Sequence, residues 1–239
     1  MISTIVCLMR RVTLAASVLF VLLNGYSVNF VNPQPVAADP SLPIQKEDGI
    51  FAIEIYPLQH KLVVLVQGEP FKTYRIAVGN PSTPTPVGEY QVVYKGKNWG
   101  PAFGPRWLGL NVPWGIYGIH GTNRPYSIGQ HLSHGCIRMQ NRDVLDLYEL
   151  IPVGTKVTIY GHVLGYASQE PRNLAEGDVG GDVQLIQSRL KSAGYFQGVC
   201  NGKFRSDTAS ALRKFQDDRQ LPVNGVVDFR VYEELGLVE

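Results

Sequence analysis

The chain has 239 residues, room for one or two domains, and its 44% hydrophobic and 18% charged content exclude a disordered polymer and supply a real core. A formal net charge of +2 without a long Lys/Arg run lacks the electrostatic footprint of a nucleic-acid binder. The 25 Gly and 16 Pro imply many turns, and with them short strands in preference to long helices.

At the start, Arg10 and Arg11 precede the apolar stretch Val12 to Leu23. That stretch suits the apolar region of a signal peptide and falls short of the ~20 residues of a bilayer span. Val36-Ala37-Ala38, just before Asp39-Pro40, offers small residues of the kind signal peptidase cuts. Residues 1–38 are therefore expected to be a signal peptide or, if uncleaved, an N-terminal anchor. Residues 39–49 are read as a linker. Either way the working domain is expected outside the cytoplasm, touching membrane only through that first segment. Cys7 belongs to the targeting segment, which leaves Cys136 and Cys200. Two thiols make no disulfide framework, and a thiol needed for chemistry cannot stay locked in a disulfide.

Ile50 to Tyr56 and Leu62 to Val66 cluster β-branched and aromatic residues around the Pro57-Leu58-Gln59-His60 break, which predicts two strands and a turn. Gly68-Glu69-Pro70 turns the chain again. Phe71 to Val78 and Glu89 to Tyr94 follow as strands, separated by the Pro-rich loop Asn80 to Gly88, so the pattern begins as a β-meander. A Gly-, Pro- and aromatic-rich stretch from Gly96 then carries Trp99, Trp107 and Trp114. It reads equally as a binding loop and as a cover for one end of the core. A short helix capped by Asn141, with Val144, Leu145, Leu147 and Tyr148 apolar, leads to a last strand at Lys156 to Tyr160. The expected fold is a mainly β domain over 50–161, sandwich- or barrel-like.

Residues 162–180 read as a linker into a small all-α, three-helix domain over 181–239. Val183, Ile186 and Leu190 mark one helix, ended by Gly194; Ala209, Leu212 and Phe215 mark a second; Asp228 or its neighbour starts a third. A short repeat runs through it. Asn201-Gly202 leads to Phe204, Thr208 and Leu212, and Asn224-Gly225 leads to Val227, Val231 and Leu235 at the same offsets. Each copy is a turn that feeds a helix.

Chemistry concentrates in Ile119-His120-Gly121-Thr122 and Ser133-His134-Gly135-Cys136-Ile137-Arg138-Met139. A free thiol is mostly protonated at neutral pH, and a nearby imidazole or guanidinium raises its thiolate fraction. Cys136 is thus a candidate nucleophile with His120 or His134 as base. Gly135 permits a sharp bend, and the amides of Gly135 and Cys136 could both face a developing oxyanion, a geometry suited to acyl transfer. Inert core filler would not need the flanking Gly, His and Arg. Zinc held by His120, His131, His134 and Cys136 is the rival reading, but His134 and Cys136 stand closer than the usual ligand spacing. Catalysis is favoured, with no metal and no cofactor, and His131 is read as a surface loop residue.

Ser133-His134-Gly135-Cys136-Ile137-Arg138, with His120-Gly121-Thr122 upstream, resembles the signature of the YkuD-type L,D-transpeptidases. The resemblance extends from about Phe51 to Gly161 and includes Thr83-Pro84-Thr85-Pro86-Val87-Gly88-Glu89-Tyr90. Val183-Gln184, Gly194-Tyr195, Phe215-Gln216 and the two Asn-Gly turns resemble the peptidoglycan-binding helical module, with Asn in place of its common Asp before Gly202 and Gly225. Cys200 matches no functional position of that module and reads as a small apolar residue.

The resemblance implies roles. Cys136 is the nucleophile, His120 the base, and the Gly121 carbonyl orients the imidazole. His134 shapes the oxyanion and substrate site with Gly135, and Arg138 holds a substrate carboxylate or steadies the loop. Ser133, Tyr74 and Tyr90 are cleft-lining candidates, Ser133 equally a turn residue. The implied activity is exported peptidoglycan cross-linking through a thioester, with release of terminal D-alanine. Its partners would be stem peptides and glycan strands, and the chain a monomer in the periplasm or cell wall. An L,D-carboxypeptidase and a non-catalytic wall-binding protein stand as alternatives. A sortase-like anchoring enzyme fits the crowded Ser-His-Gly-Cys spacing less well.

Overall fold

The computed structural model describes residues 50–165 and 170–238. The expected signal or anchor segment 1–38, with Arg10, Arg11 and Cys7, and the linker 39–49 lie outside the described residues, as do 166–169 of the second linker. Among the described residues nine strands form: β1 (Phe51–Tyr56), β2 (Lys61–Val66), β3 (Glu69–Gly79), β4 (Gly88–Lys97), β5 (Arg106–Leu110), β6 (Tyr117–His120), β7 (His131–Ser133), β8 (Ile137–Met139) and β9 (Lys156–Ile159). Four helices accompany them: α1 (Asn141–Leu150), α2 (Gly181–Ser192), α3 (Ser206–Asp218) and α4 (Phe229–Glu234).

The strands hydrogen-bond in the order β2-β1-β9-β4-β5-β6-β8-β3-β7, and a further β2–β3 ladder closes the circuit into a barrel. Two long strands make closure possible. β3 pairs with β2 along its first half, then with β8 at Ile76 and Ala77, then with β7 at Val78 and Gly79. β4 gives Gly88–Gln91 to β9 and its remainder to β5, changing partner at an irregularity between Val92 and Tyr94. Strict alternation along β1 sends Phe51, Ile53 and Ile55 inward, where they meet Leu62, Val64, Ile76, Leu108 and Ile137.

The expected mainly β domain is present, but the meander ends at β3. β1·β9, β6·β8 and β3·β7 are parallel pairs, which no local sequence signal specifies. The turn before β3 is also tighter than expected: Gln67 and Gly68 take the left-handed conformation, and Glu69 and Pro70 already belong to the strand. On α1, Val144, Leu147 and Tyr148 are buried, whereas Leu145 faces outward. Lys95 Nζ donates to the carbonyls of Tyr148 at 2.5 Å and Ile151 at 2.8 Å, satisfying acceptors left open as that helix ends.

The C-terminal part is helical, with its own core around Ile186, Phe204, Leu212, Phe215, Val231 and Tyr232; Cys200 packs against it. The sequence repeat has a structural cause. Gln187 Oε1 accepts the Gly202 N–H and Gln216 Oε1 accepts the Gly225 N–H, both at 2.9 Å. The same two amides donate to Lys203 O at 3.0 Å and Val226 O at 2.9 Å. A buried glutamine thus clamps each Asn-Gly turn, and truncating either would strand turn amides at a cost of about 1–3 kcal/mol. Asp228 caps α4 through the Val231 N–H at 3.1 Å. By their internal contacts the described residues form one compact unit holding both cores. Among the described residues no helix is long and apolar enough to cross a membrane.

Candidate active site

The parallel β6·β8 ladder sets Ile119 opposite Ile137 and His120 opposite Arg138. Cys136 enters β8 from a tight turn. Ser133, fully buried, donates its hydroxyl to Cys136 O at 2.6 Å and accepts the Gly135 N–H at 3.1 Å. The Ser133 carbonyl is gripped by Asn80, from its main-chain N–H at 2.9 Å and its side-chain amide at 3.1 Å. Gly135 has φ +106°, and a Cβ there would lie 2.6 Å from Tyr117 Cε1, so no other residue fits. This spends the Gly135 amide on Ser133, where the sequence suggested an oxyanion donor.

The Cys136 side chain is partly buried, its sulfur 4.0 Å from Ile116 O. Burial pushes the thiol above its ordinary range; the Gly118 backbone and the Arg138 charge pull it down by less. Arg138 thus acts in the direction expected from sequence, but desolvation wins. His120 and Arg138 stand opposite each other in the ladder and face the same side, and Cys136 stands two residues before Arg138 at the entry to β8.

His120, 3% exposed, donates Nδ1–H to Gly121 O at 2.5 Å, which leaves Nε2 as the basic nitrogen of the neutral ring. Its ring stacks on Trp107 (centroids 5.3 Å apart, 14°), which stacks on Trp99 (4.6 Å, 9°), while Phe103 meets it edge-on at 5.1 Å. The Gly-, Pro- and aromatic-rich stretch therefore both covers the core and walls the imidazole. Burial lowers the His120 pKa to about 4; the carbonyls of Gly121 and Phe103 oppose this and the Arg138 charge reinforces it.

Both partners therefore rest uncharged at neutral pH. Alkylation of Cys136 by iodoacetamide is expected to keep accelerating beyond pH 9, the ordinary thiol value, whereas a plateau already reached at pH 7 would reveal a preformed thiolate–imidazolium pair.

Asn141 was expected to cap α1. Instead Gln140 takes the cap position without a side-chain bond, and Asn141 Oδ1 accepts the Thr122 N–H at 2.9 Å. A side chain on Gly121 would collide with that oxygen, and one on Gly104 would come 2.7 Å from Gly121 Cα. The helix start, the segment after His120 and the aromatic loop are thus pinned together at two glycines. Asn141→Ala is expected to lower kcat roughly tenfold or more by loosening His120, as a small misplacement can. Its Tm should fall by only a few degrees, for about 1–2 kcal/mol. Steady-state kinetics and a melting curve check both.

Of the remaining candidates, His134 is exposed and Arg138 half-buried. Tyr74 donates to Asp146 Oδ2 on α1 at 2.6 Å, and Tyr90 to Val87 O at 3.0 Å; both rings belong to the core. His131 lies on β7 in an edge contact with His60. Among the described residues no three His, Cys, Asp or Glu side chains converge as metal ligands. Asn80, Phe103, Tyr117 and Asn141 were not singled out from sequence as parts of the site. Asn80-Pro81 signalled only a turn, and Tyr117 lies beyond the aromatic-rich stretch that was read.

A mainly β barrel with a His and an Arg on adjacent parallel strands and a Cys in the turn that enters one of them, followed by a small helical part, defines the class of protein. The L,D-transpeptidase catalytic domain (YkuD) family model matches residues 51–159, and a peptidoglycan binding domain model matches 179–235. The chain is 48% identical over 98 residues to the Bacillus subtilis protein named L,D-transpeptidase YkuD, covering 41% of this chain and 58% of that one. It is 34% identical over 142 residues to L,D-transpeptidase YqjB of the same organism, covering 52% and 73%. A solved L,D-transpeptidase from Mycobacterium smegmatis aligns with TM-score 0.40 and 21% identity over 47% of this chain and 59% of that one. This chain belongs to the L,D-transpeptidase family. It spans little more than half the length of the YkuD proteins it matches.

Proposed function

We propose that the chain is an exported cysteine L,D-transpeptidase that cross-links peptidoglycan over residues 50–161 and holds the wall through residues 181–239. The observation that carries the reading is the β6·β8 ladder, in which a buried imidazole, bonded to the Gly121 carbonyl and basic at Nε2, stands opposite Arg138, two residues after the partly buried thiol of Cys136.

The chemistry follows from that pair. As Sγ attacks the carbonyl of the third residue of a tetrapeptide stem, its proton passes to His120 Nε2. The C–N bond to the terminal D-alanine breaks, and the imidazolium returns the proton to the departing amine. The acyl group is left as a thioester on Cys136. An amine of a neighbouring stem then attacks, loses its proton to His120, and expels the sulfur, which is reprotonated. One peptide bond is exchanged for another, so no nucleoside triphosphate is needed outside the cytoplasm. With the Gly135 amide held by Ser133, the Cys136 amide is the main-chain donor of this turn available to the oxyanion, and exposed His134 shapes the approach. Arg138 offers its charge to a substrate carboxylate. Water in place of the amine would give the L,D-carboxypeptidase reaction at the same site.

The helical part would raise the local concentration of wall strands around a site that binds each stem weakly. Its family match supports peptidoglycan as the ligand. Export is supported by the first 38 residues, which read as a signal peptide or N-terminal anchor and favour the periplasm or cell wall. Muropeptide analysis of wall treated with the purified chain tests the activity. A new cross-link between two third-position residues is expected; trimming without cross-links would favour the carboxypeptidase, and an unchanged digest would favour a binding protein.

A further inference from the structure

The barrel and the helical part meet at Trp114, between β5 and β6. The indole is only 7% exposed. Part of its cover comes from the other core: a Cβ on Gly202 would fall 2.5 Å from Trp114 Cε3, so the indole lies directly on the backbone of the first Asn-Gly turn. That turn is stiff. Gly202 has φ +68°, its N–H is held by Gln187 Oε1 at 2.9 Å, and its carbonyl accepts the Gly180 N–H at 2.9 Å. On the barrel side the indole meets Tyr90 edge-on, with centroids 6.4 Å apart, and its N–H lies near enough to the Tyr117 hydroxyl to ease that phenol's ionisation. Tyr117 in turn packs against Gly135, next to the candidate nucleophile.

We propose that Trp114 is a positioning residue through which the helical part shapes the nucleophile turn: the Gly202 turn seats the indole, the indole holds Tyr117, and Tyr117 holds Gly135 and with it Cys136. The second copy of the repeat makes no such contact. Gly225 has the same left-handed conformation, φ +73°, but the nearest atoms to a Cβ there belong to the Arg213 side chain, with Nε at 3.0 Å. The two turns are alike in sequence and in their glutamine clamps, and differ in what they touch. On this account the helical part is a component of the active site as well as a tether. The inference rests on the reading of Cys136 as nucleophile.

The test uses the full chain and two reagents, a carbapenem and iodoacetamide, with the rate of Cys136 modification followed by mass spectrometry. Gly202→Ala is expected to slow acylation by about five- to tenfold. Gly225→Ala, which disturbs an equivalent turn away from Trp114, is expected to leave the rate unchanged. In a Trp114→Ala background, where the space is vacated, Gly202→Ala should add no further loss. A native rate in Gly202→Ala, equal slowing in Gly225→Ala, or effects that multiply in the double variant would overturn the proposal. Should Gly202→Ala fail to fold, Trp114→Phe keeps a ring in place and removes the indole N–H; slowed acylation is expected, and a native rate overturns the coupling. Wild-type chain that resists the carbapenem but reacts with iodoacetamide would count against the nucleophile reading alone, because the variants' alkylation rates still report on the contact.

Discussion

Cys136→Ala is expected to abolish D-alanine release and thioester formation while leaving a folded protein. The turn that presents this residue is held by Ser133 to the Cys136 carbonyl, by Gly135 to Ser133 and by Asn80 to the Ser133 carbonyl, none of which uses the sulfur. The side chain is only partly buried, so the variant should melt within a few degrees of wild type. Turnover, by contrast, loses the atom that forms the covalent bond. Removing a nucleophile from a comparable Ser–His site costs on the order of 10⁶ in kcat. A chromatographic assay of released D-alanine with a circular dichroism melt separates the two effects. Turnover retained in a folded variant would end the account.

His120→Gln is expected to cost about 10²–10⁴ in kcat, the usual worth of a positioned general base. Glutamine can keep a bond to the Gly121 carbonyl and lie against Trp107, but it cannot take the thiol proton. The same variant has a second signature. In the folded chain His120 resists protonation down to about pH 4, whereas an unfolded histidine binds a proton near 6.5. Between those values the unfolded state holds the extra proton, so stability contributed by the neutral ring is present above pH 6.5 and is lost as pH falls toward 4, by about 3 kcal/mol in the limit. Urea titrations at pH 7 and pH 4.5 should therefore show a larger drop for wild type than for the variant. Equal drops would place the ring outside the buried stack.

The legible parts of the fold were those whose signals are local. β1, β2, β3, β4 and β9 announce themselves through runs of β-branched and aromatic residues, and α1 through Val144, Leu147 and Tyr148. The strands that build the site did not. β6, β7 and β8 have three or four residues each, too few for a period to register; β6 and β8 exist because the closed barrel supplies partners on both sides, and β7 because β3 supplies one on a single side. The parallel register that joins His120 to Arg138 is likewise a tertiary fact. The Cys, His and Gly residues of the site stood out because their types are chemically informative. Their supports did not, because an asparagine such as Asn141 looks like a helix cap until a backbone amide from another loop is found on its oxygen. The thiol shift ran against the charge-based expectation for the same reason: Arg138 is visible in sequence, whereas the burial that outweighs it is not.

The most direct measurement is mass spectrometry of the full chain trapped during turnover of a tetrapeptide stem, with the adduct mapped by digestion. A mass gain equal to the stem without its D-alanine, carried by the peptide containing Cys136 and removed by hydroxylamine, is the predicted result. D-alanine release with that peptide unmodified throughout, or with the adduct on any other residue, would contradict the account.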